Sequence, residues 1–283
     1  MRKKNALILI DVQYDFTNPK GALFVPGAVE DCKRTANFIL NNVDEIDYMA
    51  TTLDSHILND IAHPSFWMDK DGNQPNPFTV ISAQDVRDGK WIARFYTVNK
   101  VLDYLDSLAT QGEFVHVIWP THCLIGSTGH AIDDIVFDAI MKYQHSGKSC
   151  QFVTKGTHPL TEHFGAFKAQ VPIAGQPATE LNMNLLKTLA EYENVYLAGQ
   201  AKSHCVATTL KQALEFQPEL AKKIIVLEDC MSNVPGGPVP SDPSLTFASI
   251  AQPIYDKAKA DGVRFAVSTQ VQMGQKSQSH SLV

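Results

Sequence analysis

The sequence has no CxxC pair, no block of Lys or Arg, and no apolar run long enough to cross a bilayer. Each absence closes a class. The five cysteines, Cys32, Cys123, Cys150, Cys205 and Cys230, are an odd set without the paired spacing of a thiolate zinc cage or a disulfide framework, so at least one thiol stays free. With a formal net charge of −6 and no basic cluster, the chain lacks the electrostatic footprint needed for a phosphate backbone or an anionic lipid surface. Neither nucleic acid nor membrane is therefore an expected partner. Met1-Arg2-Lys3-Lys4-Asn5 has the charge of a signal-peptide opening, but the apolar run Ala6 to Ile10 stops at Asp11, too short for a secretory core. A cytoplasmic protein is expected.

What is present is an ordinary globular balance: 44% hydrophobic against 19% charged residues, enough to build a packed core. A chain of 283 residues suits one large α/β domain, or a smaller one with an elaborate insertion. Short runs rich in apolar residues recur at Ala6 to Ile10, Tyr48 to Leu53, Phe114 to Trp119, Gln151 to Thr154, Val195 to Ala198 and Ile224 to Leu227, with a possible addition at Val263 to Val267. Most are continuously apolar, as strands buried on both faces are. Helical patterns lie between them, among them Ala28 to Leu40, Leu181 to Tyr192 and Val206 to Phe216. This alternation predicts a doubly wound, mostly parallel sheet with helices on both faces.

One domain over residues 1–283 is expected, with an insertion at about 66–97 and a loose tail from about residue 270. The insertion combines the turn chemistry of Asp71-Gly72-Asn73 and Pro75-Asn76-Pro77 with aromatics at Phe66, Trp67, Phe78, Trp91, Phe95 and Tyr96. Aromatics need burial, so a cap over the site, a subunit contact or a structural excursion all fit better than a disordered linker.

In a sheet of this kind functional groups gather beyond the carboxyl ends of the strands. Asp11 follows the first run, Asp54 and His56 the second, Trp119 and His122 the third and Lys155 the fourth, while Cys205 lies just after the fifth. Cys205 precedes the helical pattern that begins at Val206, which puts it at a helix N-terminus where a thiolate is favoured and free N–H groups can bind an oxyanion. A cysteine simply packed at a strand-to-helix turn is the plain alternative. Asp11, ending a buried strand, needs a partner, and Lys155 can supply it; with Cys205 they form a set for acyl transfer, although a structural ion pair has the same signature. His204 is set aside as a base, because the helix start turns it elsewhere. Asp54-Ser55-His56, His63 and His122 offer one carboxylate and three imidazoles to a divalent ion, with His63 the weakest candidate because it can equally be a cap.

Taken in order, Ala6-Leu7-Ile8-Leu9-Ile10-Asp11-Val12-Gln13-Tyr14-Asp15-Phe16, Thr52-Leu53-Asp54-Ser55-His56, Trp119-Pro120-Thr121-His122-Cys123-Leu124-Ile125-Gly126, Thr154-Lys155-Gly156 and Gly199-Gln200-Ala201-Lys202-Ser203-His204-Cys205-Val206 resemble the motifs of the nicotinamidase branch of the isochorismatase-like hydrolases. The resemblance runs from Ala6 to about Leu227, leaving out the insertion. It implies Cys205 as nucleophile, Asp11 as proton acceptor and later donor to ammonia, and Lys155 as electrostatic support. It also implies Asp54, His56 and His122 as ligands of one divalent ion, with His63 a fourth; Zn²⁺ is named first, Fe²⁺ and Mn²⁺ being the alternatives. Phe16 and Trp119 match positions that sandwich a pyridine ring. The oxyanion hole maps onto the N–H groups of Ala201 and Cys205, after a cis peptide at Gln200-Ala201. The implied partner is a small-molecule amide, nicotinamide first, and the implied assembly a homo-oligomer.

This sequence departs from the family pattern in the length of the insertion after His63, in Gln200 and Lys202-Ser203 where an aliphatic residue and Thr-Asp are usual, and in His163-Phe164 where a Tyr is common. Those departures keep two other readings open. One is a hydrolase of another small amide, such as a carbamoyl or ureido compound; the other is an idle scaffold member.

Overall fold

The apolar runs become a six-stranded parallel sheet in the computed structural model, which describes residues 3–111, 115–239, 242–271 and 273. In chain order the elements are β1 (Asn5–Ile10), α1 (Tyr14–Thr17), α2 (Ala28–Asn41), β2 (Tyr48–Asp54), β3 (Trp67–Met68), α3 (Ala83–Arg87), β4 (Ile92–Ala93), α4 (Val98–Gln111), α5 (Asp134–His145), β5 (Cys150–Lys155), α6 (Met183–Ala190), β6 (Asn194–Gly199), α7 (Ala207–Phe216), β7 (Ile224–Leu227), α8 (Phe247–Ala260) and β8 (Arg264–Ala266). The sheet order is β5-β2-β1-β6-β7-β8, every pair parallel. The strand order reverses between β1 and β6, and that switch point is where such sheets open a crevice.

All six residues of β1 are buried because both faces are covered. Ala6, Ile8 and Ile10 pack toward α6, α7 and α8, whereas Leu7 and Leu9 pack toward α2 and α5. Each large side chain buried in this way stabilises the fold by roughly 1.5–3 kcal/mol relative to exposure. Register does the functional work: Asp54 pairs with Lys155 across β2 and β5, and Ile10 with Gly199 across β1 and β6, so the residues that follow emerge side by side.

The run expected as a third strand is not part of this sheet. Phe114 lies outside the described residues, and 115–119 holds only one isolated bridge, Val117 to Val80. Its backbone groups are taken up elsewhere: Ile118 N–H donates to Thr79 O at 2.8 Å, Ile81 N–H to His116 O at 3.0 Å, and Trp119 N–H to Ala62 O at 2.8 Å. Beside β2, the place such a strand would fill is occupied by β5. An apolar run reads the same whether its partner is the sheet or an excursion, which is why sequence pattern misplaced it.

The segment 66–97 folds into the two-residue antiparallel pair β3–β4 and the short α3, which is closed by a capping box from Ser82. With α4 it builds a small core of its own, in which Phe66, Trp67, Ile81, Val86, Val101, Tyr104 and Leu108 meet Ile61, Ile118 and Leu160. The loose tail expected from about residue 270 falls mostly outside the described residues, as do Met1 and Arg2. No helix among the described residues is long and apolar enough to cross a membrane.

Candidate active site

Strand ends deliver Asp11, Asp54, Lys155 and Cys205 to one buried cluster. Lys155, 1% exposed, is the hub: its Nζ lies 2.9 Å from Asp11 Oδ2 and 3.1 Å from Asp54 Oδ1, donates to His163 O at 2.7 Å, and reaches Cys205 Sγ at 3.9 Å. Thr52 orients Asp11 from the neighbouring strand, its hydroxyl donating to Oδ1 at 2.6 Å while accepting the Asp11 N–H at 3.0 Å. Burial raises the Asp11 carboxyl above its usual range; Lys155 opposes the rise and Asp54 adds to it. Burial alone would push the Lys155 ammonium down, but Asp11 and Asp54 outweigh it and keep the charge well above the ordinary lysine range.

Cys205 corrects one expectation. It lies in a wide five-residue turn, Lys202–Val206, ahead of α7 rather than at a clean helix start. Burial lifts its thiol well above the usual value, Lys155 opposes this, and the Asp11 and Asp54 carboxylates reinforce it. The resting group is a thiol hydrogen-bonded to the Asp11 carboxyl, and it must hand over that proton before its sulfur can attack a carbonyl. The peptide Gln200-Ala201 just before the turn is cis. The Gln200 side chain is committed to structure, its Nε2 donating to Asp31 Oδ2 at 2.9 Å.

On the other side of Asp54 stand three imidazoles. The ring centroids of His56, His63 and His122 are 4.9–5.2 Å apart, each pair edge-on, and one nitrogen from each falls within 4.8 Å of the others. Asp54 Oδ2 faces His56 Nε2 at 3.0 Å and His122 Nε2 at 3.5 Å. The outer nitrogens of two rings are occupied: His56 Nδ1 meets Asp60 Oδ2 at 3.1 Å, and His122 Nδ1 donates to Pro120 O at 2.7 Å, which turns both Nε2 atoms inward.

These residues fit a divalent ion. His63 Nδ1 is buried without a hydrogen-bond partner, and burial, with the His122 and His56 rings beside it, pulls His63 down to about 2, keeping it in the neutral, ligating form. Burial pulls His56 down too, but Asp54 and Asp60 outweigh it and leave the ring well above its usual range. The cluster therefore favours positive charge at the point where the rings meet.

Gly156 is the cradle wall. At φ +74° a Cβ would stand 2.8 Å from Asp54 Oδ1 and 3.3 Å from His56 Cε1. Gly156→Ala should therefore lose about 1–2 kcal/mol from the left-handed backbone alone, read as a lowered midpoint in denaturant. It should also weaken metal retention by displacing Asp54, and a variant with unchanged stability and metal content would refute the cradle.

Between the Cys205 thiol and the imidazoles lies a pocket lined by Phe16, Leu23, Trp119, Glu162, Phe164, Ala201, His204 and Val234 with Asp54, His122 and Cys205. Phe16 meets the His122 ring edge-on at 5.4 Å. The insertion touches this wall from outside, where Phe78 packs on the edge of Trp119 at 5.9 Å. His204, set aside from sequence, belongs to the wall: its ring meets Trp119 at 5.1 Å, Phe164 at 5.5 Å and Phe247 at 4.8 Å. Ser203 Oγ fixes it through Nδ1 at 3.0 Å, and burial holds it down to about 3, so it is a neutral aromatic surface.

Four more supporting residues were missed. Gln13 clamps Asp54 by both main-chain groups, at 2.7 and 2.8 Å, and Asp15 Oδ2 accepts the Cys123 N–H at 2.7 Å, tying the His122 loop to α1. The alternation Asp11, Gln13, Asp15 was a visible signal for both. Asp60 and Glu162 gave none, since loop carboxylates acquire their role only when the loops meet.

No protein-family model matches the chain. Among curated proteins, the nicotinamidase of Saccharomyces cerevisiae is 25% identical over 223 residues, covering 79% of this chain and 85% of the relative. The solved structure of the yeast nicotinamidase bound to the inhibitor nicotinaldehyde superposes with a TM-score of 0.63 at 21% identity, over 93% of this chain and 99% of that one. A nicotinamidase/pyrazinamidase from Acinetobacter baumanii gives 0.60 at 20% identity over 95% and 99%. The pyrazinamidase of Pyrococcus horikoshii in complex with zinc gives 0.52 at 18% over 93% and 99%. These likenesses establish the α/β fold, including its parallel six-stranded sheet.

Proposed function

The chain has the fold of the isochorismatase-like hydrolases and resembles their nicotinamidase branch over most of its length, and from that premise we propose that it hydrolyses nicotinamide to nicotinate and ammonia through a thioester on Cys205. The observation that carries this reading is the convergence on Lys155 of Asp11 and Cys205 on one side and the Asp54–imidazole cluster on the other, with aromatic walls between.

Asp11 takes the Cys205 proton as sulfur attacks the amide carbon, and the main-chain N–H groups of Ala201 and Cys205 receive the developing oxyanion. As the C–N bond breaks, Asp11 returns the proton to the leaving nitrogen and ammonia departs. Water then attacks the thioester carbon, giving its proton to Asp11, which passes it to the departing sulfur. Lys155 stays charged throughout and keeps Asp11 oriented. Phe16 and Trp119 bracket the ring, and the neutral His204 ring extends that wall. A divalent ion held by Asp54, His56, His122 and His63 would supply a Lewis-acid anchor for the ring nitrogen, and the zinc in the Pyrococcus horikoshii relative supports Zn²⁺ as the first candidate.

Ammonia release across a panel of small amides tests the substrate. Nicotinamide should give the highest kcat/KM, whereas a preference for carbamoyl or ureido compounds would replace this reading, and no release from any amide would leave the scaffold alternative. Metal content is a separate check. Protein purified without chelator should carry about one divalent ion per chain, lost in His56→Ala or His122→Ala; a wild type that neither carries nor takes up metal contradicts the ligand set.

A further inference from the structure

The segment 162–170 brings two adjacent residues to the site. Its neck is closed where the Gln170 N–H donates to Glu162 O at 2.8 Å. Within it, His163 O accepts the Lys155 ammonium at 2.7 Å, and Phe164 lines the pocket with its ring 5.5 Å from that of His204. No helix or strand shapes 162–170, so its position has to be set by what it is tied to.

The ties run to α7, the helix that follows Cys205. Thr209 and Gln212 stand three residues apart on that helix, hence on one face, and both are buried. The Thr209 hydroxyl donates to Cys205 O at 2.7 Å and accepts the Ala166 N–H at 3.0 Å, so a single group joins the loop to the main chain of the nucleophile. Gln212 Oε1 accepts the N–H groups of Phe167 at 3.3 Å and Lys168 at 3.1 Å, while its Nε2 donates to Lys168 O at 2.7 Å. Gly165 lets the loop lie this close, because a Cβ there would stand 2.1 Å from Gln212 Oε1. The main-chain groups of 166–168 thus find their partners on α7, and loss of those partners would leave them unpaired in a buried place.

We propose that Thr209 and Gln212 are positioning residues for the pocket wall, holding the 162–170 loop so that Phe164 stays against the substrate. The nucleophile and this wall are then set by the same helix. Release of the loop would let Phe164 retreat and widen the pocket, whereas Asp11 and Cys205 remain joined to Lys155 by contacts outside the loop. Loss of the clamp should therefore weaken substrate binding more than chemistry. This inference rests on the hydrolase reading of the proposed function, but not on which amide is hydrolysed.

Its test is steady-state ammonia release, from the small amide that the wild type hydrolyses best, by Thr209→Val, Thr209→Ser, Gln212→Met, Gly165→Ala and Phe164→Ala. Thr209→Val keeps the shape and removes the hydroxyl; Thr209→Ser keeps the hydroxyl. Small misplacements of positioning groups cost up to about 100-fold, and Thr209→Val, Gln212→Met and Gly165→Ala should each raise KM about tenfold with kcat held within about threefold. Thr209→Ser should restore the wild-type KM. On the Phe164→Ala background the Thr209→Val and Gln212→Met penalties should vanish, because the side chain they position is gone. Gly165→Ala reaches the clamp from the loop side, by displacing the Gln212 amide, and keeps the proposal refutable if a helix variant fails to fold. A wild-type KM in the folded clamp variants overturns the proposal, as does a fall in kcat alone or a penalty that persists in full without the Phe164 ring. A wild type that releases no ammonia from any amide overturns the hydrolase reading and this inference with it, a failure distinguishable from the others.

Discussion

Cys205→Ala is expected to give a folded protein that binds nicotinamide and releases no ammonia from it above the chemical background. The loss in kcat should be on the order of 10⁴–10⁶-fold, as when a covalent nucleophile is removed from a preorganised site. No other thiol can substitute. Cys32, Cys150 and Cys230 belong to the core between the sheet and α2 and α5, and the Cys123 sulfur is turned to Gly129 O at 3.8 Å. Only Cys205 combines a place in the pocket wall with the Lys155 ammonium at 3.9 Å and the Asp11 carboxyl in contact. The replacement is small and internal, so circular dichroism and the thermal midpoint should show a native fold. Turnover within tenfold of wild type by such a protein would refute the thioester route.

Asp11→Asn should be nearly as damaging, for a different reason. The amide keeps the shape and the Thr52 contact but cannot accept the thiol proton, and Cys205 depends on transfer because burial keeps its proton on at rest. General-base catalysis is worth about 10²–10⁴-fold, and kcat should fall by that much. Lys155 would keep Asp54 as its counter-charge at 3.1 Å, so the ammonium stays paired and the fold should survive. Burst kinetics separate the steps: loss of proton transfer removes the first burst of ammonia, whereas a defect confined to water attack would preserve it. A variant that keeps the burst shows that the thiol proton goes elsewhere.

The parts of this molecule legible in sequence are those whose signal is local. A strand buried on both faces is apolar at every position, and β1, β2, β6 and β7 lie where the runs placed them. Residues just past strand ends could be nominated from order alone because a parallel sheet sends all of them to one side, and Asp11, Asp54, Lys155 and Cys205 do meet. Trp119 and His122 were nominated through a strand that does not exist in the sheet; they arrive on an irregular segment pinned by Thr79, Ile81 and Ala62. What pattern cannot carry is environment. Helix-start chemistry argued for a thiolate at Cys205, but the desolvation that decides its protonation comes from elements distant in sequence. His204, set aside as a base, is a neutral ring in the pocket wall, a place it owes to the wide turn preceding α7, which rotates it toward Trp119. Asp60 and Glu162 are ordinary loop acids until the fold brings Asp60 against His56 and Glu162 into the pocket wall.

Lys155 is carried by β5, which in the described sheet has a neighbour, β2, on one side only. A terminal strand is the first to fray, because its local opening breaks one ladder of hydrogen bonds instead of two. Here the same motion would withdraw the cation that stands between Asp11 and Asp54, leaving Asp11 without its ammonium in a dry crevice beside a second carboxylate that only its imidazoles still balance. Repulsion between the two carboxylates would then oppose reclosure. The charge balance at the centre of the site is thereby tethered to the sheet's least supported member, and mild denaturant or heat should silence the chemistry while most of the secondary structure still stands.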